Sequence, residues 1–435
     1  MFQYRLFKTV SVMALGVSIA VCSGCAADFS GSFPLSSDSA VSSFSTSVSS
    51  EEVKTNNADT EYASGYSHVD FSQMDDTLVF ANQRKGSLLG QPGYCYKTLS
   101  DEEQVVYEEI YAAVTGFADS CMLGTTDSEL VHRVYNHVIA DHPEIFWLEG
   151  YTLNTTRRGD KVISLEFSMK QTMEKEEVAH WQDEIRNYLE EFSKAAQVAG
   201  IDSSSDDFDI IKFTFDYIVT HTEYQESVEN NQNICSVFGS GYSVCQGYSV
   251  AMQYLLLYQG IPSVTVSGVT RDTQTNHAWN LVRSDGEWYW LDVTWGDPSF
   301  YEDTKILNDM VNYAYFCVTD EEISRTHIVN DELELPECTS DKDNYFIHEN
   351  RYFNSWDPKQ FGQVIAECMK SGKGYASVRF RDEELYQQVR DMLIDKQKIF
   401  DYMKEGADET GIGEVSKLSY FENKVFSIIT FIWEK

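Results

Sequence analysis

The chain has 435 residues, of which 42% are hydrophobic and 14% aromatic, and its formal net charge at pH 7 is −36. A chain of this length and apolar content can bury a full core and form two or three domains. The negative charge argues strongly against nucleic acid as a partner, because phosphate binding requires a basic surface.

The N-terminus has the pattern of an export signal. Arg5 and Lys8 precede an apolar run, residues 10–22, which is too short for a bilayer span of about 20 residues. The run ends in a Ser-Gly-Cys tripeptide that resembles a bacterial lipobox. We therefore expect residues 1–25 to be a lipoprotein-type signal peptide and Cys25 to carry lipid. The chain would then be exported and anchored to the outer face of the bacterial cell membrane, with cleavage and secretion as the alternative.

The next segment, residues 26–65, is rich in serine and poor in large apolar residues. Such a composition cannot bury enough surface to fold. We predict a flexible tether that holds a globular region away from the membrane.

Residues 66–204 are predicted to form an N-terminal α/β extension. Ser100 and Glu103 have the spacing of a capping box, which opens a helix. Alternating apolar residues over 162–167 predict a strand, and apolar residues at helical spacing over 175–199 predict a long helix.

Cys245 stands at the start of a predicted helix, residues 245–259, which Gly260 and Pro262 would end. The positive end of a helix favours thiolate over thiol, and its free backbone N–H groups can face an oxyanion. A lone cysteine is more often a small buried hydrophobic residue, so its partners decide the interpretation. A second predicted helix, residues 207–221, is expected to pack beneath the first.

His277 and Asp292 lie on the two arms of a predicted antiparallel hairpin. Asp285-Gly286 is a turn signal between two aromatic-rich runs. With a loop of two or four residues, Asp292 faces Trp279, and His277 is its diagonal neighbour on the same face. A three-residue loop would put Asp292 on the opposite face. An aspartate beside a histidine fixes its tautomer and stabilises the imidazolium.

These motifs together resemble the transglutaminase-like core superfamily, which has a papain-like cysteine fold. The matching pieces are Gly-Tyr-Ser-Val-Cys-Gln-Gly-Tyr around Cys245, His-Ala-Trp-Asn from His277, and Trp-Tyr-Trp-Leu-Asp-Val-Thr-Trp around Asp292. The resemblance spans about residues 205–330. It implies an α+β fold in which the nucleophile helix packs on an antiparallel sheet. It also implies that Cys245 is the nucleophile, His277 the general base and Asp292 the residue that orients it.

The same resemblance implies acyl chemistry on amides. We predict a cell-surface cysteine hydrolase of the peptidase or amidase type, which forms a thioester with a peptide or protein substrate. Cell-wall peptide is one candidate substrate, and neither a cofactor nor a metal is expected. One alternative is a protein-crosslinking transglutaminase that transfers the acyl group to an amine. Another is a non-catalytic surface binding or scaffold protein that keeps the fold.

Three aromatic residues, Tyr242, Trp279 and Trp295, are candidates for lining the substrate cleft, although the tryptophans could equally belong to the core. The helix start would supply one oxyanion donor. The second donor stays open among four polar residues that precede the nucleophile: Gln232, Asn233, Ser240 and Tyr242.

Beyond the hairpin, residues 313–318 predict a strand that closes the sheet. His327 is predicted to be a surface residue, with a substrate contact as the alternative. Residues 331–435 are predicted to form a small C-terminal α/β domain, with a helix from about Pro358 and a closing hairpin around Glu422-Asn423.

Overall fold

The computed structural model describes residues 86–298, 310–330, 332–413 and 415–434. The predicted signal peptide and tether, and with them Cys25, lie outside these residues. Within the described ranges, no helix is both long and apolar enough to cross a membrane.

The described residues form twelve α-helices and thirteen strands, which are mixed along the chain. The helices are α1 (Tyr94–Thr98), α2 (Asp101–Thr115), α3 (Ser128–Asp141), α4 (Lys175–Val198), α5 (Asp207–His221), α6 (Ile234–Ser240), α7 (Cys245–Tyr258), α8 (Asp320–Ile323), α9 (Tyr345–His348), α10 (Pro358–Lys370), α11 (Glu383–Arg390) and α12 (Ile399–Thr410), and a π-helical turn covers Asp391–Asp395. The strands are β1 (Cys121–Met122), β2 (Leu148–Arg158), β3 (Lys161–Gln171), β4 (Glu223–Tyr224), β5 (Tyr242–Ser243), β6 (Ser263–Thr270), β7 (Asn276–Ser284), β8 (Glu287–Leu291), β9 (His327–Val329), β10 (Tyr352–Phe353), β11 (Tyr375–Phe380), β12 (Lys417–Asn423) and β13 (Ile428–Glu434).

The first described region combines helices with a three-stranded sheet of order β1-β3-β2. Ser100 and Glu103 form both arms of the predicted capping box at the start of α2. The predicted strand and the predicted long helix are present as β3 and α4. The boundary at residue 204 stays a prediction.

The central layer is the one that the sequence predicts. An antiparallel sheet of order β8-β7-β6-β9 packs against α7. On its other side α7 contacts α5, where the amide of Gln259 donates to the Thr214 hydroxyl at 2.7 Å. The fold is therefore α+β with the helix that begins at Cys245 packed on an antiparallel sheet, which confirms the predicted class.

The end of α7 has the predicted glycine stop. Gly260 adopts a left-handed conformation with φ of +80°. The N–H of Ile261 then donates to the carbonyl of Leu256 at 2.9 Å, which closes a Schellman motif. The chain turns there directly into β6.

The predicted strand over residues 313–318 is wrong. This aromatic run is a buried irregular segment in which Cys317 has a left-handed φ of 51°, a conformation that a regular strand does not accept. Only Val318 forms a bridge, to Trp290 of β8. The edge strand on the opposite side of the sheet is β9, which pairs antiparallel with β6.

The C-terminal region has a second sheet, of order β10-β11-β13-β12, with a buried apolar cluster between this sheet and helices α10 to α12. The predicted helix at Pro358 and the closing hairpin are present, but the hairpin turn follows Asn423 rather than enclosing it. Phe426 in this turn belongs instead to the larger core around α7. The predicted domain boundary at residue 331 stays a prediction.

Candidate active site

Two hydrogen bonds hold α7, the helix that begins at Cys245, to strand β7. The hydroxyl of Ser249 donates to the carbonyl of Ala278 at 2.8 Å, and the side-chain amide of Asn280 donates to the carbonyl of Ser249 at 2.9 Å. Ser249 lies one helical turn after Cys245, and Ala278 follows His277 directly. The Asn of the His-Ala-Trp-Asn motif therefore fixes the helix start against the strand that carries the histidine.

The hairpin has the predicted register. Asp285 and Gly286 have φ of 48° and 96°, as a two-residue type I′ turn requires. Ser284 pairs with Glu287 and Asn280 with Leu291, so Asp292 follows at the position opposite Trp279. His277 and Asp292 therefore share a face of the sheet, as the loop length predicted.

The two side chains make a direct contact that is fully buried. Nε2 of His277 donates to Oδ2 of Asp292 at 2.7 Å, and neither side chain is exposed. Because an ionised carboxylate only accepts hydrogen bonds, the ring proton must lie on Nε2. Nδ1 is then the ring nitrogen that gains the second proton when the imidazole becomes an imidazolium.

Cys245 lies on the open side of that imidazole. It is the first residue of α7 and is partly exposed. The hydrogen bond and charge of its sulfur help to raise the pKa of His277. Nδ1 of His277 has no nitrogen or oxygen partner among the described residues, so it is the ring atom available to the sulfur. The structure thus brings Cys245, His277 and Asp292 together in the predicted order.

The carboxylate governs the charge of the histidine. Burial disfavours the imidazolium, but the charge and hydrogen bond of Asp292 outweigh it, with a smaller contribution from Cys245, and raise the pKa of His277 to about 10. Burial also disfavours the carboxylate, yet the donors of His277 and His327 hold the pKa of Asp292 well below its usual range. The site therefore favours an imidazolium next to an ionised aspartate.

Asp292 also organises the turn that follows it. Its Oδ1 accepts a hydrogen bond from the backbone N–H of Trp295 at 3.0 Å, which is a local cap of the kind that short aspartate side chains form. Its own backbone N–H donates to the carbonyl of Tyr315 at 3.1 Å. The Asp-Val-Thr-Trp motif thus uses one carboxylate oxygen for the turn and the other for the histidine.

The prediction that His327 is a surface residue is wrong. It is the first residue of β9, its side chain is fully buried, and its Nε2 donates to the same Oδ2 of Asp292 at 3.1 Å. Its Nδ1 is 2.9 Å from the hydroxyl of Thr326. No local motif marks this residue, because its contact arises from the pairing of β9 with β6.

Trp279 and Trp295 lie in the core, which is the alternative that the sequence left open, and their role as cleft residues stays a prediction. Both side chains are fully buried. Their rings stack near His277, with centroid distances of 5.8 Å for Trp279 and 5.1 Å for Trp295. Their packing keeps water away from the imidazole and strengthens its interaction with Asp292.

Tyr242 is exposed in the short strand β5, three residues before Cys245, so it stays a candidate for a substrate contact. Three of the oxyanion candidates already donate to other groups. The amide of Gln232 donates to Oδ1 of Asn231 at 3.0 Å. The amide of Asn233 donates to the carbonyl of Phe146, and the hydroxyl of Ser240 donates to the carbonyl of Ser236.

The site also contains a set of groups that could ligate a metal ion. His277, Asp292 and His327 each place one donor atom within 4.8 Å of the others. Imidazole and carboxylate are ligands that zinc accepts. Both Nε2 atoms here donate to Asp292, so hydrogen bonds account for the arrangement, and the expectation of no metal stays a prediction.

Gly268 allows β9 to approach the histidine strand. It pairs with His277 on one side and with Val329 on the other. A Cβ at this position would collide with the carbonyl oxygen of Ile328 and would lie 2.7 Å from a ring carbon of Trp279. We expect Gly268→Ala to lower the free energy of unfolding by about 1–3 kcal/mol, since β9 must move outward. Urea unfolding measures this change.

Gly150 in β2 provides the matched control. It also lies in a strand, but a Cβ there would meet no atom within 4 Å. Gly150→Ala is expected to change the free energy of unfolding by less than about 0.5 kcal/mol. Equal stability of the two variants would contradict the close approach at Gly268.

A thiol at a helix start, beside a buried histidine–aspartate pair on an antiparallel sheet, defines the class of papain-like cysteine folds. Residues 195–293 match the sequence model of the transglutaminase-like superfamily, and this segment includes Cys245, His277 and Asp292. Residues 195–293 are therefore a transglutaminase-like domain within this chain. Proteins of this superfamily are in general cysteine proteases or acyltransferases.

The individual relatives are distant. The chain is 22% identical over 167 residues to the kyphoscoliosis peptidase of Mus musculus. This alignment covers 34% of this chain and 25% of that protein. The Homo sapiens kyphoscoliosis peptidase is 21% identical over 167 residues, with the same coverage of 34% and 25%. A TGase of known crystal structure is 16% identical, covering 36% of this chain and 46% of that chain, with a TM-score of 0.24. The chain thus matches about a quarter of its curated relatives and less than half of the TGase.

Proposed function

We propose that this protein is a cell-surface cysteine hydrolase that cleaves peptide amides through Cys245, His277 and Asp292. The placement of His277 between the thiol and the buried carboxylate carries this proposal. Two curated relatives named as peptidases support the substrate class.

The reaction follows from the atoms that the site presents. Nδ1 of His277 takes the proton of Cys245, and the sulfur attacks the carbonyl carbon of the amide. The resulting imidazolium gives its proton to the leaving amine as the C–N bond breaks, which leaves a thioester on Cys245. Water then attacks the thioester and gives a proton to His277. Release of the acid returns that proton to the sulfur.

The start of α7 supports the step in which negative charge develops. The first backbone N–H groups of a helix have no intrahelical acceptor, and the helix dipole places partial positive charge there. Cys245 is the first residue of α7, so an oxyanion formed on its substrate lies near these donors.

Alkylation of Cys245 by iodoacetamide tests the thiol–imidazole pair without a known substrate. At pH 6.5 we expect His277→Ala to slow the labelling of Cys245 by at least about 10-fold, because the base that draws the proton from sulfur is lost. Mass spectrometry of the labelled peptide gives the rate for Cys245 alone.

His221 supplies the control for this experiment. It is an exposed histidine at the end of α5, where its ring bonds to its own helix. His221→Ala should leave the labelling of Cys245 unchanged. Labelling that proceeds as fast in His277→Ala as in the wild type would contradict the proposed function.

The outcome of the thioester is decided by a second assay. A pool of peptides is incubated with the protein, with and without a fluorescent primary amine, and free α-amino groups are measured. A rise in α-amino groups supports hydrolysis. Incorporation of the fluorescent amine would instead identify a transglutaminase, and the absence of both, despite a reactive Cys245, would favour a binding or scaffold protein.

The proposed cell-surface location rests on the lipobox-like sequence at Cys25, which lies outside the described residues. Recovery of the mature chain in the detergent phase of a cell extract would support a lipid anchor. Recovery in the culture medium would indicate secretion.

A further inference from the structure

The carboxylate of Asp292 has two histidines as donors, although the predicted chemistry requires only one. Oδ2 accepts from Nε2 of His277 at 2.7 Å and from Nε2 of His327 at 3.1 Å. Oδ1 accepts from the backbone N–H of Trp295. Three protein donors therefore hold a carboxylate that is fully buried.

The proton positions on His327 follow from its partners. The carboxylate only accepts, so Nε2 must carry a proton. In the neutral ring Nδ1 is then an acceptor, and the hydroxyl of Thr326, at 2.9 Å, donates to it. Thr326 precedes β9 and is itself buried. Asp292 therefore selects the tautomer of His327 in which the proton faces the carboxylate, and the Thr326 hydroxyl complements it at Nδ1.

The surroundings of His327 keep it neutral. Its ring lies 4.6 Å from that of Trp279, 4.5 Å from that of Trp295 and 5.4 Å from that of Tyr315, measured between centroids. Burial in this aromatic cage lowers the pKa of His327. The ring of His277 is only 5.4 Å away, so a charged His327 would repel the imidazolium that the reaction requires.

We propose that His327 is a positioning residue that acts through Asp292, as a neutral second donor that fixes the carboxylate and keeps its negative charge facing His277. A buried carboxylate with fewer donors is easier to protonate, and it could then take the proton of His277 and neutralise the pair. The inference rests on the proposed function, because it assumes that His277 activates Cys245.

A pair of substitutions with similar length separates the donor from the ring volume. His327→Gln keeps an N–H that can reach Asp292, whereas His327→Met removes it. We expect His327→Met to slow iodoacetamide labelling of Cys245 by about 10–100-fold, the usual effect of removing a partner that orients a functional histidine or its ligand. His327→Gln should stay within about 3-fold of the wild type. Thermal unfolding identifies any variant that has lost its fold.

Thr326→Val provides a milder variant that keeps the histidine. It removes the hydroxyl that donates to Nδ1 of His327 and changes little of the volume. We expect a loss in labelling rate of about 2–5-fold, because Nδ1 of His327 then loses the donor that complements the proton on Nε2. A labelling rate equal to that of the wild type would contradict the assignment of the tautomer.

A double substitution tests whether His327 acts through Asp292. In the background of Asp292→Asn, the further change His327→Met should alter the labelling rate by less than about 2-fold, since residues in one network do not add. If the effects of Asp292→Asn and His327→Met on the labelling rate multiply, the inference is overturned. Equal labelling rates for His327→Gln and His327→Met would overturn it as well. If His277→Ala itself leaves labelling unchanged, the proposed function fails and the inference with it.

Discussion

Replacement of Cys245 by alanine is expected to abolish the cleavage of peptide amides, with a fall in rate of at least about 10⁴-fold. In the proposed mechanism the sulfur of Cys245 forms the covalent intermediate, and no other described cysteine is placed to take over. Those at positions 95, 121, 235, 317, 338 and 368 are all buried, whereas Cys245 is partly exposed. Liberation of α-amino groups from a peptide pool measures the loss.

Cys235 is a matched control for this substitution. It too lies in the first turn of a helix, α6, but it is fully buried, and burial raises the pKa of its thiol. Cys235→Ala should keep the wild-type rate once any loss of stability is taken into account. A Cys245→Ala protein that still cleaves peptides would exclude the thioester route.

Replacement of Asp292 by asparagine is expected to reduce turnover by about 10³–10⁴-fold, the effect that loss of such a carboxylate has in other hydrolytic triads. Asp292 is what raises the pKa of His277 to about 10 against the effect of burial. Without its charge, burial lowers the pKa of His277. The imidazolium that would protonate the leaving amine in the proposed mechanism is then lost at a lower pH.

The pH profile gives this prediction its direction. In the wild type the alkaline limit of activity should lie near pH 10, where His277 loses its proton. In Asp292→Asn it should shift towards neutral pH.

The same pKa shift affects stability. Folding raises the pKa of His277 from its ordinary value of 6.5 to about 10. The contribution of His277 to the free energy of unfolding is therefore complete below pH 6.5 and is lost as the pH rises through about 10.

Asp320→Asn is the control for the pH shift. Asp320 also accepts two hydrogen bonds, from the indole of Trp290 and the backbone N–H of Cys338, but it contacts neither histidine. Loss of the Asp320 carboxylate should lower the stability of the fold and leave the alkaline limit of activity unchanged. An unchanged limit in Asp292→Asn would show that the carboxylate does not control the charge of His277.

The core of this site was predictable because local rules determine it. The Asp285-Gly286 pair selects a two-residue turn, and side-chain alternation then puts His277 and Asp292 on one face. The glycine stop after α7 is equally local. These features require no knowledge of distant parts of the chain.

The features that sequence reasoning missed depend on long-range packing. β9 is only three residues long, so it carries no alternation that would mark His327 as inward-facing. The aromatic run before it has strand-like composition, but the left-handed Cys317 breaks the extended path. The sequence allowed Trp279 and Trp295 to line a cleft or to pack in the core. Their packing against the imidazole of His277 depends on the folded structure and is not visible in the sequence.

The packing of the C-terminal hairpin bears on whether the transglutaminase-like segment can be transferred to another protein on its own. Phe426 packs edge-on against Tyr315 at 5.0 Å, and the Tyr315 ring in turn contacts Trp295 at 4.9 Å, beside the histidine pair. The segment shared with the superfamily, residues 195–293, contains neither Tyr315 nor Phe426. A gene fusion that moved only the shared segment would leave these aromatic contacts behind. The segment that resembles the superfamily is therefore smaller than the packed unit around the histidine pair.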